Sequence, residues 1–482
     1  MFIKKFTTVF ICLLFLQVGF GQKTWSLTKC IQYAQQNSLS VKQGQNQVEQ
    51  AQLSKQEALY SRYPTVNSSL RGGLNFGRTI DPTTNSFISE TVLTSSLGVD
   101  AGVTLYNGGR IRNQIKQSQI NVDIAEADNE QIKNDLALNV AAAYLQILLD
   151  QEQLTNANNR LVQTQAQLTQ TDRLIRAGTL PEADRLEIQA NLARDEQNIV
   201  TQQNAVEISY LNLKNLMQIN PDEDIKIEKI DEINIPVNAN PDAVALTQVY
   251  NRAIANQPFI KADQARLSSA DLDTEIAKSL GLPVITLFGN INSFYSNKVP
   301  DINNVTNEGT IRIGDPQIVV IDGTNSDLQF FQTVGRTFGK RGYFNQLNDN
   351  FGQSLGLNVS IPIYNQARTR LAKERAQLNI LNTQIAAQQN KQQLKVDIQR
   401  AIANARANKK QFEASEKTVS ALDLAYLNTE KRYKLGAVNT FEYTTAKNNL
   451  DQAAIDLIIA KYNYLYSLQV LDFYQGKRLE LK

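Results

Sequence analysis

Apolar residues recur at every seventh position along two long stretches of the chain. The first is Val140, Ile147, Leu154, Leu161, Leu168 and Ile175; the second is Ile398, Ala405, Phe412, Val419, Tyr426 and Tyr433. An interval of seven keeps one helix face apolar throughout and predicts a helix packed on other helices. The first stretch runs without proline from about Ile111 to Arg176. At about 1.5 Å per residue that is roughly 100 Å, far beyond an ordinary globular helix. It ends in Ala177-Gly178-Thr179-Leu180-Pro181-Glu182. A glycine past one helix, a proline opening the next and acids in its first turn punctuate a helical hairpin. The return helix is expected from Pro181 to about Met217, and the second stretch ends in the same way at Leu435-Gly436-Ala437.

Elsewhere the period is two. In Thr65–Arg78, Val66, Ser68, Leu70, Gly72, Leu74 and Phe76 share one face, with Asn67, Ser69, Arg71, Gly73 and Asn75 on the other. Leu93, Leu97, Val99, Ala101, Val103 and Leu105 alternate with Thr94, Ser96, Gly98, Asp100 and Gly102. Ile285–Asn292 and Phe351–Ile363 repeat the pattern. Four long strands follow, each apolar on one side and polar on the other. A helix is expected before the first strand, from Leu27 to Arg62, ended by Tyr63-Pro64.

The two halves align. Asn37, Val41, Leu53 and Pro64 match Asn256, Ile260, Leu272 and Pro283 at an offset of 219; Tyr106, Asn107, Arg110 and Leu192 match Tyr364, Asn365, Arg368 and Leu450 at 258. The offset grows through an insertion of 39 residues inside Asn297–Asn350. The chain therefore divides into residues 1–21, a first repeat 22–240 and a second repeat 241–482. Asn220–Asn240 is expected as the linker, with short strand-like text at Ile225-Lys226-Ile227.

Composition narrows the chemistry. Met1–Gly21 has Lys4 and Lys5, an apolar core and small residues near its end, which is a secretory signal. Cleavage there leaves 47 basic against 47 acidic residues and the single cysteine Cys30, so no internal disulfide. A balanced charge gives no reason to expect a nucleic-acid partner. The chain has no histidine, which removes the usual general base and the commonest metal ligand. Gly108-Gly109-Arg110 lacks the Gly-Lys-Ser/Thr ending of a phosphate loop. The acidic run Asp222-Glu223-Asp224 reads first as a solvated loop. No enzyme activity, cofactor or metal is expected.

No segment after the signal has 18 or more consecutive apolar residues, yet amphipathic strands cross membranes as closed barrels. Four strands are too few to close one, which takes about eight or more, so the barrel must be shared among chains. The Leu/Val/Ile face then meets lipid and the Asn/Ser/Thr/Gly face lines the inside. A second possibility is a periplasmic coiled-coil scaffold or adaptor without a pore, which the helices alone would fit.

Nearly the whole mature chain resembles the TolC-like outer-membrane efflux and secretion ducts. The resemblance is carried by the duplication, by Leu105-Tyr106-Asn107-Gly108-Gly109-Arg110, by Arg432-Tyr433-Lys434-Leu435-Gly436 and by Ala460-Lys461-Tyr462-Asn463-Tyr464-Leu465. It implies an α+β membrane protein of the Gram-negative outer membrane: a homotrimer with a shared twelve-stranded barrel in outer-membrane lipid and a periplasmic tunnel of helical hairpins. Its partners would be a periplasmic adaptor and an inner-membrane pump, in a tripartite efflux or type I secretion system. The resemblance also implies a tip latched by an acid and a tyrosine, which match Asp184 and Tyr433. Its arginine partner is replaced by Val438. The constricting acids fall at Glu442 and Thr445, of which only Glu442 is acidic. Gly178, Glu182, Arg185, Arg432, Lys434 and Gly436 surround the turns and are candidates for adaptor docking. The same residues also read simply: Tyr433 as packing on the seam, Asp184 and Glu442 as acids near helix starts, and the rest as a solvated tip.

Overall fold

The computed structural model describes residues 24–80, 85–89, 91–228, 240–321 and 324–480. The expected signal at Met1–Gly21 and residues 229–239 of the linker lie outside them. The helices are α1 (Leu27–Asn37), α2 (Leu39–Tyr60), α3 (Arg110–Arg176), α4 (Ala183–Met217), α5 (Leu246–Asn256), α6 (Pro258–Ser279), α7 (Tyr343–Asp349), α8 (Arg368–Lys434) and α9 (Thr440–Tyr474). The strands are β1 (Thr24–Trp25), β2 (Thr65–Asn75), β3 (Arg78–Ile80), β4 (Phe87–Ser89), β5 (Val92–Asn107), β6 (Lys226–Ile227), β7 (Val284–Ser296), β8 (Pro300–Ile321), β9 (Thr324–Lys340) and β10 (Gly352–Ser360). Two compact units result, and each draws on both halves of the chain. One holds the chain up to Ser54 with Ser118–Asp271 and Leu378–Lys482; the other holds Lys55–Gln117 and Leu272–Gln377.

The first unit is helical. Helices α3 and α8 have 67 residues each, and their return helices α4 and α9 have 35 each. Both hairpins turn on a glycine at positive φ, Gly178 at 76° and Gly436 at 70°. In each turn the next N–H reaches back five residues: Thr179 N to Leu174 O at 3.0 Å, and Ala437 N to Arg432 O at 2.9 Å. These bonds satisfy the last carbonyls of α3 and α8, and the left-handed backbone they require suits glycine. Asn439 caps α9 by accepting from Glu442 N at 2.9 Å.

On α3 the apolar seam is enclosed only as far as Ile147, while on α8 it is enclosed at Ile398 and Ala405 and again at Tyr433. Val140, Ile147, Ile398 and Ala405 are fully buried, but Leu154, Leu161, Leu168 and Ile175 are half-buried. Along that lower stretch of α3 the enclosed residues are Ala157, Thr164, Gln167 and Thr171. The contact surface has rotated onto small and polar side chains, because partners on α4, α8 and α9 take up the hydrogen bonds of Thr164 and Thr171.

The single helix expected over Leu27–Arg62 is two helices. Ser38 leaves the helical region at φ −57°, ψ 133°, and its hydroxyl meets Ser40 Oγ at 2.8 Å. The same break occurs at Gln257, φ −69° and ψ 126°, where the following Pro258 disfavours helical backbone. Helix α1 packs Leu27, Cys30, Ile31 and Ala34 into a core with Val140, Tyr144, Leu213, Met217, Ile227 and Tyr462. Parallel strands β1 and β6 pair through Thr24–Lys226 and Trp25–Ile227, and the Tyr144 hydroxyl lies 3.2 Å from Trp25 O and 3.1 Å from Glu228 O. Burial pushes the Cys30 thiol up to about 12, so it packs as an inert apolar group. A second core joins Val249, Ala253 and Ile260 to Leu394, Ile398, Ala405 and Leu471.

The second unit is built on one antiparallel sheet in the order β10-β7-β5-β2, which contains the four alternating segments. Its central pair, β5 with β7, joins the first half of the chain to the second. Alternation through Leu105 breaks at a bulge between Thr104 and Tyr106, so Tyr106 rather than Leu105 stands opposite Ile285. Strand β10 stops at Ser360, short of the expected Ile363, because Pro362 cannot continue the ladder. The insertion forms the separate hairpin β8–β9 and the short helix α7.

Candidate functional site

Two places combine unusual chemistry with a definite position in the fold. One is the wall made by the four-stranded sheet. Ladder pairing carries single rows of residues across all four strands. Val66, Ala101, Gly289 and Leu355 form one row; Asn67, Asp100, Asn290 and Ser354 form the next. The first row belongs to a face that also holds Leu70, Leu97, Leu357 and Val359, and these large apolar side chains are uncovered, Leu355 to 79 %. The second row lies on the opposite, polar face, where Ser354 Oγ donates to Asn290 Oδ1 at 2.8 Å or accepts from its flipped amide.

The other place is the end of the helical unit where the hairpins turn. Tyr433 is buried at 3 % exposure, and its hydroxyl lies 3.3 Å from Thr171 Oγ1 and 3.2 Å from Thr440 Oγ1. Its ring stacks on Tyr443 with centroids 4.7 Å apart, and Tyr443 in turn shares a 2.9 Å hydrogen bond with the Tyr426 hydroxyl. Burial raises both the Tyr443 and Tyr426 phenols above their usual range, so they remain neutral hydrogen-bonding groups. Val438, which stands where the resemblance calls for arginine, is buried in this cluster beside Tyr433, Tyr443 and Leu180. An apolar residue there closes an aromatic plug that ties α3, α8 and α9 together.

The remaining predicted residues fall around the plug. Asp184 is half-buried in the first turn of α4; within the chain Tyr433 bonds to Thr171 and Thr440 rather than to it. Glu442 pairs with Arg432 at 3.0 Å across the α8–α9 turn, with both side chains about half exposed. Thr445 is exposed on α9. Glu182 pairs with Arg185, and Lys434 pairs with Glu430 at 2.9 Å. Gly178 and Gly436 have open space where a Cβ would stand, so their backbone angle rather than crowding requires glycine.

Higher on the same helices lies a cluster that sequence reasoning missed. Asp195 on α4 is 2 % exposed; Arg160 Nε is 2.6 Å from its Oδ1, and Thr164 Oγ1 is 2.6 Å from its Oδ2. Lys447 on α9 donates to Thr164 Oγ1 at 2.6 Å, and Asp451 Oδ2 is 3.3 Å from Arg160 Nε. Burial lowers the Lys447 ammonium and raises the Asp451 carboxyl. The one available signal was Lys447 and Asp451 four apart among apolar α9 positions, which reads equally as a surface pair.

Among the described residues no group of three or more His, Cys, Asp and Glu could hold a metal, and no helix is long and apolar enough to cross a membrane.

The model of the outer membrane efflux protein family matches residues 30–217 and 331–477. Toxin and drug export protein A of Aggregatibacter actinomycetemcomitans is 35 % identical over 101 residues, a stretch that spans 20 % of this chain and 20 % of that protein. Among solved structures, the CusC channel superposes with a TM-score of 0.74 at 16 % identity, over 94 % of this chain and 92 % of its own. The Vibrio cholerae outer membrane protein VceC gives 0.71 at 13 % identity, over 94 % and 97 %. The Campylobacter jejuni CmeC channel gives 0.70 at 16 %, over 95 % and 86 %. The family match takes in both helical hairpins and three strands of the central sheet, β2, β5 and β10, and this chain belongs to the outer membrane efflux protein family, transport channels of the Gram-negative outer membrane rather than enzymes.

Proposed function

We propose that this protein is the exit duct of a multi-component export machine, assembled as a trimer whose protomers each contribute four strands to one barrel. Cargo would be delivered by an inner-membrane pump through a periplasmic adaptor. The observation that carries this reading is the sheet: one uncovered apolar face, one polar face, and two edge strands, β2 and β10, with no further strand beside them among the described residues. In lipid an open edge leaves backbone N–H and C=O groups unsatisfied, which copies of the same sheet would pair. Helix α8 carries the same demand, since Leu371, Leu378 and Ile385 recur at seven-residue spacing and are 41 %, 60 % and 54 % exposed in one chain. A periplasmic scaffold would have no use for the uncovered strand face. The similarity to the Aggregatibacter toxin and drug export protein supports export as the direction of transport.

In this reading Asp184 and Tyr433 latch the tip between neighbouring helices, Glu442 lines the constriction, and the turns around Gly178 and Gly436 receive the adaptor. The test is conductance of the purified trimer in a planar bilayer. A small, stable, cation-leaning conductance is expected, and Asp184→Ala with Tyr433→Phe should enlarge it. No conductance from folded trimers would return the scaffold reading. Unchanged conductance in the double variant would remove the latch and leave the duct.

A further inference from the structure

The short helix α7 lies at one end of the sheet, and nothing in the channel reading requires it. Two residues separate it from β9 before it and two from β10 after it. Strand β10 first pairs with β7 at Gly352–Asn292, so Ser293–Ser296 extend beyond it. Helix α7 takes the vacant place. Gln346, 1 % exposed, accepts from Ser296 N at 3.0 Å and donates to Ser296 O at 2.9 Å, replacing both bonds that a strand would make. Asn350 donates to Phe294 O at 2.8 Å, and Ser293 Oγ donates to Leu347 O at 2.7 Å. Arg341 joins the two ends of the helix through Asp349 at 2.9 Å. The element is therefore bolted to the sheet through buried polar contacts, and its apolar residues are free for another use.

Those residues continue the apolar face. Tyr295 shares a row with Ser95, on the side of the sheet that carries Leu97 and Leu355. Tyr343 packs on Tyr295 with ring centroids 4.8 Å apart and meets Ser95 Oγ through its hydroxyl at 3.3 Å. Phe344 stands edge-on to Tyr343 and is 81 % exposed, and Phe351 nearby is 56 % exposed. Toward the opposite end, Tyr106, Tyr63 and Tyr364 are exposed beside the strand ends. The partners of Ser95 and Tyr106 on β7, Tyr295 and Ile285, are ten residue steps apart, the β5 bulge adding one residue that does not advance the ladder. At about 3.3 Å per residue this is about 33 Å along the strand, or roughly 25 Å along the membrane normal for a strand tilted about 40°, the height of the lipid-facing band between the aromatic girdles of an outer-membrane barrel.

We propose that α7 is an interfacial anchor: Phe344 and Tyr343 sit at the headgroup–acyl boundary of the outer leaflet and fix the height of the sheet in the membrane. The occupant is membrane lipid, because the aromatic patch is continuous with the apolar face and lies one bilayer band away from the second aromatic row. This rests on the reading that the apolar face meets lipid, and the test separates the two. Tryptophan is introduced singly as Phe344→Trp and Leu355→Trp, with Trp25, the only native tryptophan, as the subtracted reference. Trimers are reconstituted in phosphatidylcholine vesicles brominated either near the headgroup or near the chain ends. Leu355→Trp, from the middle row, is expected to lose most fluorescence to chain-end bromines, and Phe344→Trp to bromines near the headgroup. Quenching at Leu355→Trp with none at Phe344→Trp would overturn the anchor and leave the lipid-facing sheet. A blue-shifted but unquenched Phe344→Trp would overturn it in favour of contact with a neighbouring protomer. Absence of quenching at both would overturn the lipid-facing reading itself.

Discussion

Asp451 and Lys447 show how much a side chain's meaning depends on what lies opposite. Four apart on α9, they look like an ordinary surface pair; in the fold they share a buried cluster with Arg160, Thr164 and Asp195. Burial, opposed by Lys447 and Arg160, leaves the Asp451 carboxyl above its ordinary value of 3.8. The folded protein thus holds this proton more tightly than the unfolded chain does. Its contribution to stability is complete below 3.8 and is lost as pH rises through the raised value. Asp451→Asn should flatten that part of the profile of thermal midpoint against pH for the detergent-solubilised protein. An unaltered profile would place the titration elsewhere.

At the scale of elements, the hairpin turns and the seams obey different physics. The turns were legible because a left-handed residue closing a helix is usually glycine, and Gly178 and Gly436 take that conformation. Gly436→Ala should cost about 1–2 kcal/mol, loosening the α8–α9 turn locally. Amide hydrogen exchange there is expected to speed up by about tenfold while the exchange of Val140 and Ile398 stays as it was. The seams were less legible. Period seven marked one face of α3, but the enclosed face in its lower half is offset toward Thr164 and Thr171. Hydropathy cannot find such a face, because its burial depends on Lys447, Asp195 and Tyr433 arriving to bond those hydroxyls.

For the whole molecule the decisive property is that adjacent residues on β10 lie on opposite faces of the sheet, one apolar and one polar. Leu355 belongs to the apolar row with Ala101, and Ser354 belongs to the polar row with Asp100. Arginine at the mid-plane of a lipid-facing strand costs about 2–4 kcal/mol, whereas the lumen side tolerates charge. Leu355→Arg should therefore deplete heat-sensitive trimers from the outer-membrane fraction, while Ser354→Arg assembles and alters conductance. Equal assembly of the two variants would contradict a lipid-facing apolar row.

Periodicity by itself determined the two long helices, the four alternating strands and which residues of a strand share a face, and the turn glycines marked where the hairpins close. These follow from backbone geometry, since side chains repeat every two residues in a strand and nearly every seven along a packed helix. The tertiary structure alone decided the rest. It placed β5 beside β7 and set the register that joins Asn67, Asp100, Asn290 and Ser354 in one row. It gave Tyr433 two threonines and a tyrosine as partners, and it put α7 where a strand was missing. Those choices rest on contacts between residues far apart in the chain, whose energies no local pattern contains.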